Sequence, residues 1–192
     1  MTNLFVKISK ILIIVFLFTS YSVFAQYDEK LMVAAANGET DKVLAMIKKG
    51  ANVNARNSTR WSSLAYAAKF NHLEVAKILI ENGADINQKV NTGATALQIA
   101  LNSENFDIAD YLVAQKADVN VKDILGMTAL AWAAKDGNLK VVKYLVSKGA
   151  NVNSQNTNGR TIVDITNSPE VKVYLKSVGG KTGEELFSDN TN

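Results

Sequence analysis

Enzymatic chemistry needs a nucleophile, a matched pair of titratable groups or a metal-ligating cluster, and this chain is poor in all three. It contains no cysteine, which excludes a thiolate nucleophile, a thiolate metal site and a disulfide framework. Its one histidine, His72, has no second imidazole with which to build a multi-histidine metal site, and a general base also needs a positioned partner and a cleft. Asp107 and Asp110 stand three apart, so on a helix they share a face. A solvated, charged face is the ordinary reading of such a pair. Gly180-Lys181-Thr182 has the closing residues of a phosphate-binding loop. The first glycine of that motif would fall at Leu175, however, and no strand precedes it. Asn57-Ser58-Thr59 is an N-glycosylation sequon, relevant only in a source that glycosylates. No catalytic residue, cofactor or metal is expected, and function should lie in binding.

Composition narrows the class further. The 192 residues are 47% hydrophobic and 20% charged, values that exclude wholesale disorder. One proline and eleven glycines exclude a proline-rich or collagen-like chain. The formal charge is +3, but Lys7 and Lys10 contribute two of the 21 basic residues from a stretch of 25 that has no acid. The remainder carries 19 basic against 18 acidic groups, too even a balance to argue for nucleic-acid binding. That N-terminal stretch has two lysines, the apolar run Ile11–Phe18, a more polar segment and then Val23-Phe24-Ala25. The layout is that of a bacterial-type signal peptide, residues 1–25, cleaved between Ala25 and Gln26. A membrane span needs about 20 apolar residues, far more than this run supplies. A periplasmic or secreted product follows as the expectation, monomeric and free of the membrane once cleaved. The competing expectation is an envelope component that keeps its apolar N-terminus.

The remaining chain repeats every 33 residues. Gly50-Ala51-Asn52-Val53-Asn54 recurs as Gly83-Ala84-Asp85-Ile86-Asn87, Lys116-Ala117-Asp118-Val119-Asn120 and Gly149-Ala150-Asn151-Val152-Asn153. A second block stays in phase with it: Ser62-Ser63-Leu64-Ala65-Tyr66-Ala67, Thr95-Ala96-Leu97-Gln98-Ile99-Ala100 and Thr128-Ala129-Leu130-Ala131-Trp132-Ala133. Repetition at this period signals a solenoid of stacked units rather than one compact core. Thr95 and Thr128 can cap helix starts. The spacing of Leu73, Ala76, Leu79 and Ile80, matched by Leu139, Val142, Leu145 and Val146, predicts a second helix in each unit.

These two motifs resemble those of the ankyrin repeat family, over roughly Tyr27 to Gly179. The resemblance implies an all-α solenoid of about five helix-turn-helix units with projecting β-turn fingers. In this register the domain covers residues 26–179, with units at about 28–60, 61–93, 94–126 and 127–159 and a shortened C-terminal cap at 160–179. Residues 180–192 are left as a flexible tail. The family places its partner on a concave surface of finger tips and first helices. The matching positions here are Arg56, Trp61, Lys69, Phe70, Lys89, Lys122, Ile124, Leu125, Met127, Lys135 and Arg160. Trp61, Phe70, Ile124, Leu125 and Met127 are read as exposed anchors for a protein partner, whereas Tyr66 and Trp132 are assigned to the interior with Ile99. His72 takes the capping and packing role that the family gives a histidine there.

Departures from the family pattern are informative. The Pro of Thr-Pro-Leu-His is replaced by Ser63, Ala96, Ala129 and Ile162, and its His by Ala65, Gln98, Ala131 and Asp164. Lys116 stands where other units have Gly, and Glu104 where Gly38 and Gly137 stand, which makes the third unit the softest. Asp164, Thr166, Lys172 and Lys176 are expected on the outer face of the last unit. The expected function is a non-catalytic protein-interaction module acting outside the cytoplasm. Toxin neutralisation and a host-directed role are its variants.

Overall fold

The computed structural model describes residues 25–189; the remainder of the expected signal peptide, residues 1–24, lies outside them. Helix α1 covers residues 25–37, with Ala25 and Gln26 exposed at its start. After it come α2 (Thr40–Lys48), α3 (Ser63–Lys69), α4 (Leu73–Glu81), α5 (Ala96–Asn102), α6 (Phe106–Ala114), α7 (Ala129–Lys135), α8 (Leu139–Ser147), α9 (Ile162–Ile165), α10 (Pro169–Ser177) and α11 (Gly183–Asp189). No strand forms among the described residues; one isolated antiparallel bridge joins Gln155 and Thr161.

First helices begin where the sequence offers a cap. Ser62, Thr95, Thr128 and Thr161 hold extended backbone, and each side chain accepts the N–H of the third residue on, at 3.2–3.5 Å. This satisfies one of the donors that a first turn leaves unpaired. Helices α3, α5, α7 and α9 then stack in one layer, and the second helices form another. Ala34, Ala67, Ala100 and Ala133 are buried in one column between them, because a larger side chain would force the units apart. Leu79, Leu112, Leu145 and Leu175 fill the matching column of the second helices and are fully buried.

Asparagines tie the units together. Asn54, Asn87 and Asn120 accept the backbone N–H groups of Asp85, Asp118 and Asn151 at 2.7, 3.0 and 2.8 Å. At the N-terminal end Asp28 on α1 accepts the Asn52 N–H, at 2.7 Å. At the other end Asn153 accepts the N–H of Lys181 at 2.8 Å, so the ladder runs past the fifth unit.

Residues 180–189 accordingly differ from the flexible tail expected from the sequence. Thr182 caps α11 and exchanges bonds with Glu185, and Glu185 pairs with Lys176 on α10. The Asp164 carboxylate accepts the Gly183 N–H at 3.0 Å. Two further expectations are corrected here. Asp164 faces this junction and the Thr161 cap, and Thr166 is buried, so neither forms a polar outer face. The physical reason is that α11 continues the stack.

This junction is sensitive to acid. The Lys176 ammonium beside Glu185, with the Thr182 N–H, holds that carboxyl down to about 2. Burial pushes the Asp164 carboxyl up, but hydrogen bonds from Thr161 and Gly183 and the nearby Arg160 outweigh it and leave the group below its ordinary value. A depressed carboxyl contributes stability above its unfolded value of about 4, and that stability is lost as pH falls through the folded value. Between about pH 4 and pH 2 the α11 junction should therefore loosen, and the Gly183 amide resonance should move before that of Gly126. A Gly183 amide that stays put while Gly126 moves would contradict this.

The third unit holds two of the four non-glycine residues that have left-handed backbone among the described residues, the others being Arg60 and Asn71 in the units before it. Glu104 has φ of 54°, where the second unit has Asn71 at 60° and the fourth has Gly137. Lys116 has φ of 68°, where both neighbouring units place Gly. A Cβ built on Gly83 or Gly149 would meet nothing within 4 Å. The cost of Lys116 is therefore its own left-handed backbone, about 1 kcal/mol. Lys116→Gly should stabilise the protein by about that amount, roughly 2–4 °C in Tm. An unchanged Tm would contradict the register.

Candidate functional site

Each finger is folded by one short polar side chain or its own turn. Asn57 Oδ1 accepts the N–H groups of Thr59 and Trp61, at 3.0 and 2.9 Å. Asp123 does the same for Leu125 and Met127 at 2.8 and 2.9 Å, and Asn156 for Asn158 and Arg160, both at 3.0 Å. Neighbouring fingers are strapped together: Asn91 N–H donates to Thr59 O at 3.3 Å, Ile124 N–H to Thr92 O at 3.2 Å and Thr157 N–H to Leu125 O at 3.1 Å. The ammonium groups of Lys89 and Lys122 add a second strap, donating to the carbonyls of Lys122 and Gln155 at 2.8 Å. The fingers thus form a continuous ribbon beside the first helices.

Three of the five expected anchors are exposed and two are not. Phe70, Ile124 and Leu125 are 52%, 67% and 51% exposed. Met127 is only 4% exposed, and Trp61 is half-buried against the core. Both residues stand immediately before a helix cap, where an apolar side chain packs on the fourth helical residue and fixes the entry of the chain. For Trp61 that residue is Tyr66, with ring centroids 5.1 Å apart; for Met127 it is Trp132. The same staple corrects the interior placement of Tyr66 and Trp132. Both are half-buried and turn towards the finger, where Tyr66 Oη accepts the Asn57 Nδ2–H at 2.9 Å and Trp132 Nε1–H donates to Asp123 at 2.8 Å. A large residue before the cap followed by an aromatic five positions later is the sequence signal for this arrangement.

Sequence-separated candidates converge at one place. Leu125, Met127, Trp132, Lys135, Arg160 and Ile165 line a cleft of about 200 Å³, with Asn156, Thr157 and Asn158 on its finger wall. Lys135 lies over the Trp132 ring, 4.6 Å from its centroid, and Arg160 donates to the Asp164 carbonyl. The floor is apolar and the rim carries two cations. Arg56, Lys69 and Phe70 belong to the same side but not to this cleft; Phe70 lies 6.4 Å from the His72 ring. A hollow of about 380 Å³ bordered by Met32, Val33, Asn57 and Tyr66 occupies the other end of the face.

His72 and the Asp110–Tyr144–Lys148 group make contacts between neighbouring units. His72 Nε2 lies 3.0 Å from the Ala36 carbonyl, and its ring occupies the space a Cβ on Gly38 would need. Asp110 binds Lys148 at 2.8 Å and accepts from the Tyr144 hydroxyl at 3.1 Å, tying α6 to α8. The Lys148 ammonium holds the Asp110 carboxyl below its ordinary value, while burial, helped by Asp110, pushes the Tyr144 phenol up. No group of acidic, histidine or cysteine side chains fit to hold a metal occurs among the described residues.

A solenoid of helix pairs with strapped fingers and an open cleft beside them defines a repeat protein built around one extended face. Residues 19–90 and 87–156 match the sequence model of ankyrin repeats (3 copies). The chain belongs to the ankyrin repeat family, whose repeats generally mediate protein–protein interaction and are typically non-catalytic. It is also similar to a probable E3 ubiquitin-protein ligase XBOS33 of Oryza sativa subsp. japonica, 39% identical over 59 residues. That match covers 31% of this chain and 11% of the relative. No helix among the described residues is long and apolar enough to cross a membrane.

Proposed function

We propose that this protein is a non-catalytic interaction module that grips one folded protein on its finger-bearing concave face, outside the cytoplasm. The observation that carries the reading is the cleft of Leu125, Trp132, Lys135 and Arg160, opened beside the exposed Ile124 and Leu125. A few desolvated apolar side chains ringed by polar groups supply most of the energy of a protein interface. A cleft of about 200 Å³ is smaller than the 300–1,000 Å³ of sites that enclose a small molecule. Export rests on the signal-peptide layout of residues 1–25. The intact mass of the released protein tests it: a chain beginning at Gln26 supports export, and retention of Lys7–Phe24 supports an anchored envelope component. The variant Phe70→Ser/Ile124→Ser/Leu125→Ser touches only exposed side chains, so it should unfold cooperatively like the native protein. It should lose the protein that the native chain retains after crosslinking in its own cells. Equal retention by both would place binding elsewhere.

A further inference from the structure

Cations line the finger-bearing side of this solenoid without ion-pair partners among the described residues. The fingers carry Arg56, Arg60, Lys89, Lys122 and Arg160, and the first helices α3 and α7 end in Lys69 and Lys135. Against these, the same segments present Asp85 and Asp118, each accepting an N–H of its own turn, Asp123, committed to its finger and to Trp132, the exposed Asp136, and Asp164, committed to the C-terminal junction. The ion pairs among the described residues are Lys42–Glu39, Lys77–Glu74, Lys140–Glu104, Lys148–Asp110 and Lys176–Glu185. All belong to second helices, the turns that flank them or the C-terminal cap. None uses a cation of the concave face, although Arg160 acts on the Asp164 carboxylate. The seven cations of the fingers and of α3 and α7 thus stand on one face without an ion-pair partner.

We infer that the partner of this face is an acidic protein segment that inserts one large apolar side chain into the Leu125–Trp132 cleft and sets carboxylates against Lys135 and Arg160. This rests on the concave-face reading and specifies its occupant. The size of the cleft suits one side chain, its floor is apolar, and its rim offers two separated cations rather than a ring of donors. Like charges with no internal partner repel one another in the free protein, and incoming carboxylates relieve that repulsion while steering the encounter. Lys135 also keeps a bare ammonium over Trp132, a position from which it can meet a carboxylate without leaving the ring.

Selection of random twelve-residue displayed peptides on the full chain tests this. The enriched peptides should be acidic and hold at least one large apolar residue. Their synthetic versions should bind at least tenfold more weakly to Lys135→Glu/Arg160→Glu and to Leu125→Ser. Leu125→Ser should melt like the native chain. The double variant, which gives up the Arg160 bond to the Asp164 carbonyl, is compared with Lys135→Glu alone, which should also melt like the native chain and bind more weakly. Binding should also weaken as salt is raised, because exposed charges are screened beyond about 10 Å at 0.1 M. Neutral or basic peptides that still depend on Leu125 would overturn the acidic segment while leaving the concave face intact. Acidic peptides indifferent to all three substitutions would overturn the concave face as well. Heparin or duplex DNA binding through Lys135 and Arg160 more tightly than any peptide would replace a protein segment with a polyanion. Enrichment of nothing would overturn a linear segment.

Discussion

Leu112→Ala should split the cooperative unfolding of this protein into two transitions. Leu112 is fully buried in α6 at the centre of the third unit, and truncating such a leucine costs about 2–5 kcal/mol through lost transfer energy and the cavity left behind. The stability of a solenoid is a sum over units and the interfaces between neighbours. The third unit already holds Glu104 and Lys116 in left-handed backbone, so it has the least to lose before it ceases to couple the two halves. Leu175 is as fully buried as Leu112 but lies in α10 near the C-terminal end. Leu175→Ala should therefore fray that end and leave one main transition. Adding Lys116→Gly to Leu112→Ala should recover about 1 kcal/mol. Denaturation followed by far-UV circular dichroism and by Trp61 and Trp132 fluorescence reads all three. Coincident single transitions in Leu112→Ala, with the same loss as Leu175→Ala, would contradict a soft centre.

Gly126→Ala should destabilise by about 3 kcal/mol, and Gly159→Ala by only about 1 kcal/mol. The two glycines have nearly the same backbone, with φ of 72° and 73°, so the conformational cost of adding a Cβ is shared. Their surroundings differ. A Cβ on Gly126 would lie 2.6 Å from the Thr157 backbone nitrogen, whereas one on Gly159 would meet nothing within 4 Å. Backbone cannot swing aside as a side-chain tip can, so the next finger must move and the strap from Thr157 N–H to Leu125 O is strained or lost. Because Leu125 lines the cleft, Gly126→Ala should also weaken partner binding, and Gly159→Ala should leave it nearly unchanged. Equal thermal shifts in the two variants would mean that the fingers are not held by this close approach.

Much of this architecture was legible because the period is exact. Two motifs in phase at 33 residues placed the caps at Thr95 and Thr128, the alanine column and the left-handed strain at Lys116. Side-chain direction at the finger base was harder to see. Trp61, Ala94, Met127 and Arg160 share one column, and hydropathy alone does not say whether its members face the partner or turn back as staples. The staple depends on the residue five positions on, so Met127 is buried against the core beside Trp132 while Arg160, too polar for that role, stays exposed. The end of the solenoid was obscured for another reason. Three residues missing between the helices of the fifth unit shift the register, so the partner of Asn153 is Lys181, 28 rather than 31 positions on. The capping residues Thr182 and Glu185 were visible signals for α11, set in a stretch whose glycines suggested a tail. The cations of the fingers escaped a net count, because basic and acidic residues nearly balance outside the first 25 and only the structure shows which of them lack ion-pair partners.

The most direct test of a concave binding face is site-specific photocrosslinking in the cells that make the protein. A photoreactive residue replaces Leu125 on the finger or Val173 on the exposed side of α10. The expected result is one discrete protein adduct from position 125 and none from position 173, with the adduct lost on adding Lys135→Glu/Arg160→Glu. An adduct from position 173 with none from position 125 would contradict a partner on the concave face.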